Sequence, residues 1–307
     1  MTDLLAVSLP IFGLIALGYA ARALRLLGPR AGQGLSEFVF VLAVPALIFR
    51  TMAQAKLPEA QPWGYWFAYF SGLAVVWAIA MVAARRAFAC GHGESVFAGF
   101  AAAQSNTVLV GIPVILRAYG EEGAVPLFLL IAIHLPITMT SATLLIEGAG
   151  GLDWRVLARR LALHPILLAL FAGLAWRATG LALDGPPKSL IDSLASAAVP
   201  CALVSMGLAL KQVGWPKERA LLGLIVALKL VVHPALVWFF ATRVFSMPPV
   251  WAGVAVLFAA MPSGINAYLF AERYRTGVAL SSGAIAASTA LAALSVMLWL
   301  WLLGVAG

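Results

Sequence analysis

The chain has 307 residues, of which 63% are hydrophobic and 10% charged, with a mean hydropathy of +0.99. These values exclude a soluble globular domain and describe a polytopic helical membrane protein. The net charge of +8 would point to nucleic acid in a soluble protein; here it is assigned to cytoplasmic loops, and no nucleic-acid partner is expected.

A helix needs about 20 apolar residues to cross a ~30 Å hydrocarbon core. Runs of that kind fall near 4–24, 35–53, 63–84, 95–118, 123–147, 161–178, 189–210, 219–244, 249–271 and 278–303, ten in all. The first follows Met1-Thr2-Asp3 without a basic n-region and is read as a retained span. The second carries Pro45 in Ala43-Val44-Pro45-Ala46-Leu47. The fourth is interrupted by Gln104-Ser105-Asn106-Thr107-Val108-Leu109-Val110-Gly111-Ile112-Pro113. His134 lies in the fifth, two residues before Pro136. The segment 148–160 is read as a cytoplasmic connection, and the sixth run opens on His164-Pro165. The seventh carries Pro200 in Ala198-Val199-Pro200-Cys201-Ala202-Leu203. Lys229 and His233-Pro234 lie in the eighth, and the ninth is interrupted by Met261-Pro262-Ser263-Gly264-Ile265-Asn266-Ala267.

Runs one to five can be laid over runs six to ten. Residues 1–147 and 161–307 are therefore read as two five-helix repeats, joined by 148–160. An odd number of spans per repeat inserts the two with opposite topology, and interrupted helices in matching positions point to the substrate site of a secondary transporter. At 1.5 Å per residue, Asn106 lies about 17 Å into its span and Pro262 about 20 Å into its own, both near the midplane. The helix breakers in these matched positions are Pro45, Pro113, Pro200 and Pro262. A proline leaves the carbonyl four residues before it without its usual donor, and half-helix N-termini attract anions. These arguments place a substrate carboxylate at Ser105, Asn106, Thr107, Gly111, Pro113, Pro262, Gly264 and Asn266.

Lys229, about 15 Å deep, is read as a fixed counter-charge for an anion or as a group that exchanges a proton. His134, His164 and His233 are further charge or coupling candidates. For His134 and His233, both close to prolines, a structural partnership with a freed carbonyl is the simpler reading. No Asp lies at mid-span, so coupling to protons, to sodium or to neither stays open. Cys90 and Cys201 fall at different depths and indicate no disulfide or metal pair. No His-Glu-x-x-His motif, no buried carboxylate pair and no phosphate-cradling loop is found, so neither an enzyme nor a cofactor is expected. A channel or ligand sensor built on the same repeat remains an alternative. Basic residues such as Arg22, Arg25, Arg85, Arg86, Arg155 and Arg159 gather on one side of the ten spans. This predicts a multi-pass protein with both termini outside the cytoplasm.

The segment Ser105 to Pro113, followed by Ala118-Tyr119-Gly120, resembles the fourth-span signature of the auxin efflux carrier family. Further matches are Phe40 to Leu47, Ala209-Leu210, Leu228-Lys229-Leu230 with His233-Pro234, and Met261-Pro262 through Phe270-Ala271-Glu272-Arg273-Tyr274. That family includes the plant PIN auxin carriers and bacterial proteins assigned as malate or malonate permeases. The resemblance implies broken helices four and nine crossing at the midplane, as in bile-acid symporters and NhaA-type antiporters. It also implies elevator-like movement of small organic anions across the bacterial inner membrane by a homodimer. One departure is His164-Pro165, where relatives often carry Asn-Pro.

Overall fold

The computed structural model describes residues 2–55, 63–148, 154–210 and 218–305. Among these the secondary structure is helical, apart from one antiparallel bridge between Ser105 and Ser263. The helices are α1 (Thr2–Ala23), α2 (Arg30–Gln54), α3 (Trp63–Ala87), α4 (His92–Ala103), α5 (Thr107–Tyr119), α6 (Ala124–Glu147), α7 (Trp154–Ala162), α8 (Pro165–Ala178), α9 (Gly185–Leu210), α10 (Arg219–Val244), α11 (Pro249–Ala260), α12 (Ile265–Arg273) and α13 (Val278–Leu302). Of the described helices, α2, α3, α6, α9, α10 and α13 are each long and apolar enough to cross a membrane. Shorter apolar helices lie at Leu9–Ala23, Thr107–Tyr119, Pro165–Ala178 and Pro249–Ala260.

The runs near 95–118 and 249–271 are each divided in two, α4 with α5 and α11 with α12. In the predicted connection 148–160, residues 149–153 lie outside the described residues, Gly148 caps the end of α6, and residues 154–160 lie in α7 rather than in a loop.

Three of the four proline readings are corrected. Pro200 lies inside α9, which continues unbroken from Gly185 to Leu210. Pro45 and Pro113 each follow a five-residue π turn, Val39–Ala43 and Thr107–Gly111, and the helix runs on through both. Val44 N–H donates to the Val39 carbonyl and Ile112 N–H to that of Thr107, each five residues back. This wider turn moves aside the carbonyl that the proline ring would strike, so the helix absorbs the proline instead of ending at it. The π turn Leu228–Val232 does the same before Pro234. The first break falls earlier, at Gln104 to Asn106. Pro262 alone of the four stands within a break.

The helices fall into two packing groups. In one, α1 and α2 lie along α9, and α2 also packs on α8. In the other, α3 packs on α4 and α10, α10 on α11, and α13 on α11 and α12. A Cβ on Gly207 would stand 2.0 Å from the Ile15 carbonyl oxygen, and one on Gly18 would stand 2.2 Å from that of Val204. These glycines let the α1 and α9 backbones touch, which is how apolar helices attract one another without a hydrophobic force between them. Large side chains such as Phe171, Leu294 and Trp301 point outward. Polar groups gather instead around the two breaks: Gln104, Ser105, Asn106, His134, Lys229, His233 and Ser263 are all buried.

Candidate functional site

The two breaks meet. Asn106 N–H donates to the Pro262 carbonyl at 2.7 Å, and Gly264 N–H donates to that of Gln104 at 3.3 Å. Non-helical backbone at membrane depth must find partners inside the protein, since lipid supplies none. Here each break supplies them to the other. Ser263 completes the junction: its N–H donates to Ser288 Oγ at 3.0 Å and its hydroxyl to the Ala101 carbonyl at 2.9 Å, near the end of α4.

Lys229 binds the junction from the side. Its Nζ donates to Ser105 Oγ at 2.8 Å and to the Ala259 carbonyl at 2.6 Å, and it lies 3.2 Å from His233 Nδ1. An ammonium has three N–H donors and no acceptor; when neutral His233 carries its proton on Nε2, Nδ1 is the third acceptor and the ammonium is fully satisfied although the residue is 0% exposed. The Ala259 carbonyl belongs to the last turn of α11, where carbonyls lack helical partners and the helix dipole is negative. Lys229 therefore caps a half-helix end and joins it to the other break.

Asn106 is also committed to structure. Its Oδ1 accepts from Leu109 N–H at 3.2 Å, an N-terminal cap for α5. Its Nδ2 donates to Met206 Sδ at 3.4 Å, a weak acceptor on α9. Gly111 packs tightly, with its N–H donating to the Asn106 carbonyl at 3.0 Å, and Pro113 is buried in the first turn beyond it.

Beside the junction lies a cavity of about 50 Å³, lined by Phe40, Gln104, Thr107, Val108, Ile131, His134, Leu135, His164, Ile166, Leu167 and Asn266. It has room for a few water molecules. Several of its polar atoms have no protein partner: both side-chain atoms of Gln104, Nε2 of His134 and Nδ1 of His164. His134 Nδ1 lies 3.1 Å from the Tyr69 hydroxyl. If that hydroxyl donates, neutral His134 carries its proton on Nε2 and can donate to a ligand. Three helices begin at this cavity: α5 at Thr107 and Val108, α8 at Ile166 and Leu167, and α12 at Asn266. N-terminal turns present unpaired N–H groups and positive partial charge. Gln104 in the same wall is the C-cap of α4 and brings that helix's negative end, so three positive helix ends outnumber one negative end around a lining without charged side chains among the described residues.

The predicted site residues divide accordingly. Thr107, Asn266, His134 and His164 line the cavity; Ser105, Asn106, Pro262, Gly264, Lys229 and His233 build the adjoining junction; Gly111 and Pro113 pack within α5. The partners found for His134 and His233 are side chains, Tyr69 and Lys229, rather than freed carbonyls. Sequence reasoning passed over Gln104 and Tyr69. Each had a signal, as an amide opening the interruption and a tyrosine inside an apolar run, but no spacing rule joins them.

Over residues 4–151 and 154–300 the chain matches the family described as "Membrane transport protein". It is 32% identical to the "Putative malonate transporter" of Rhizobium meliloti (strain 1021), covering 99% of this chain and 97% of that protein. An "Uncharacterized transporter" of Methanothermobacter thermautotrophicus is 28% identical over 95% of each chain. A further uncharacterized transporter, from Methanocaldococcus jannaschii, is 23% identical over 94% of this chain and 96% of its own.

Proposed function

The chain belongs to the auxin efflux carrier family of membrane transport proteins, and from that premise we propose that it is a secondary transporter of small organic anions, received in the cavity beside the two breaks. One observation carries the choice of an anion: three helix N-termini converge on a cavity whose Gln104 amide and His134 Nε2 are uncommitted. A carboxylate accepts hydrogen bonds and carries negative charge, so it satisfies both the orphan donors and the field. Gln104, His134, Thr107 and Asn266 receive it, with His164 opposite, whereas Ser105, Asn106, Pro262, Gly264 and Lys229 hold the junction in shape.

In this reading the chain crosses the inner membrane ten times in two inverted repeats, 1–147 and 161–307, with both termini outside the cytoplasm. α4–α5 and α11–α12 are the two helices that cross at the midplane. The group of α1, α2, α8 and α9 forms a scaffold, and the other group moves across it as an elevator, in a homodimer. The cavity wall draws on both packing groups, with Phe40, Ile166 and Leu167 from α2 and α8 and Asn266 from α12, so movement of one group along the other would reshape it. The cavity has the size of a carboxylate head, and the rest of the substrate occupies space that opens when the groups separate. Malonate, named for the Rhizobium meliloti relative, is the first acid to test among mono- and dicarboxylates and aromatic acids.

The test is thermal stabilisation of purified protein by these acids and by neutral amino acids, with and without sodium, in wild type and Gln104→Leu. The Gln104 side chain makes no protein hydrogen bond, and an unsatisfied buried amide costs about 1–3 kcal/mol. The variant should therefore be at least as stable as wild type when unliganded and lose the carboxylate-specific shift. A Gln104→Leu protein that keeps the shift, or a wild type that responds to neutral amino acids instead, overturns the proposal.

A further inference from the structure

A groove of about 500 Å³ runs between α10 and α13, with Arg219 at one end and walls that include Gly223, Val231, Leu294 and Ser295. We propose that it is a phospholipid site, holding one acyl chain along its length and an anionic headgroup at Arg219.

Both helices are long and apolar enough to cross a membrane, and Leu294 and Val231 are 64% and 51% exposed on that face. The α10 wall extends from Arg219 to Val231, about 18 Å at 1.5 Å per residue. One leaflet of a ~30 Å hydrocarbon core is about 15 Å deep. The groove therefore begins at headgroup level and ends near the midplane, the path of a single acyl chain.

Its floor is suited to hydrocarbon. The π turn at Leu228–Val232 disturbs the helical bonding of that segment, yet the Leu230 carbonyl accepts from Ser295 Oγ at 2.7 Å and from Trp299 Nε1 at 3.1 Å. An acyl chain there meets no unpaired carbonyl at Leu230, and unpaired groups are what lipid penalises. Gly223 keeps the wall open: a Cβ at this position would meet nothing within 4 Å. Arg219 is exposed at the helix start, where a guanidinium can pair with a phosphate bidentately. A zwitterionic lipid fills the groove equally well but adds a cation that Arg219 repels, so an anionic headgroup is preferred.

The experiment uses the full chain, delipidated in detergent and titrated with phosphatidylglycerol or with phosphatidylcholine of the same acyl chains. Melting temperature and lipid retained in native mass spectra are read together. Phosphatidylglycerol should stabilise wild type by several degrees and be retained as one lipid per chain more strongly than phosphatidylcholine. Arg219→Gln should remove the difference between the two lipids. Gly223→Leu, which points into open space and leaves the fold intact, should remove retention of both. Equal effects of the two lipids on wild type, or undiminished retention by Gly223→Leu, would refute the site. So would a groove occupied by a second copy, seen as self-association that Gly223→Leu abolishes without changing lipid retention.

Discussion

Gly264→Ala tests whether the two breaks depend on each other. A Cβ on Gly264 would lie 2.8 Å from the Ser105 carbonyl oxygen, 3.1 Å from its carbon and 3.2 Å from Asn106 N, all backbone atoms of the opposite break. The φ of −86° and ψ of 160° at Gly264 suit any residue, so closeness alone demands glycine here. Forcing a methyl into such a contact costs about 1–3 kcal/mol. Parting the breaks also loses the bonds from Asn106 N–H to Pro262 and from Gly264 N–H to Gln104, worth about 1 kcal/mol each. The sum is about 3–5 kcal/mol, or a fall in Tm of roughly 6–10 °C at about 2 °C per kcal/mol for a chain of this size. Tryptophan fluorescence during heating of purified protein reads it. Gly34→Ala is the control, because its Cβ meets nothing within 4 Å and alanine favours a helix by up to about 1 kcal/mol. An unchanged Tm in Gly264→Ala would refute the claim that the breaks bear on each other.

Asn106→Ala should lower stability by about 1 kcal/mol through loss of the cap on Leu109, as read by thermal unfolding. Asn106→Asp keeps an acceptor at the helix start but buries a carboxylate at 4% exposure, at an insertion cost of about 2.5–3.5 kcal/mol, so stability should fall below that of Asn106→Ala and anion uptake should be lost. Lys229→Met strands three acceptors and also removes an insertion cost of about 2.5–3.5 kcal/mol. Stability should therefore change little, while uptake into proteoliposomes falls steeply because Ser105 loses its tie to α10; full uptake would show that the lysine is dispensable. Gly207→Ala drives a methyl into the Ile15 carbonyl and should destabilise the α1–α9 contact by about 1–3 kcal/mol, seen as a lowered Tm with ligand response retained in the folded fraction.

The class of protein and the neighbourhood of the site were legible in the residues because both depend on local properties. Hydropathy along the chain is sufficient to recognise membrane helices, since lipid demands that each satisfy its own backbone. Polar residues with glycine and proline inside such a helix mark a defect that must be compensated somewhere. Where the helix opens was not legible. Prolines 45, 113 and 200 look alike to Pro262 in sequence, but π turns precede the first two, α9 carries the third, and only Pro262 stands within a break. Nor could sequence assign partners across the fold: Lys229 meets Ser105 from 124 residues away and Asn106 meets Met206 from 100. The tertiary structure decided those pairings, because a buried donor takes whichever acceptor packing brings within about 3 Å. It also separated the residues that hold the junction from those that face the cavity, and it brought the beginnings of three distant helices to one small space beside the end of α4.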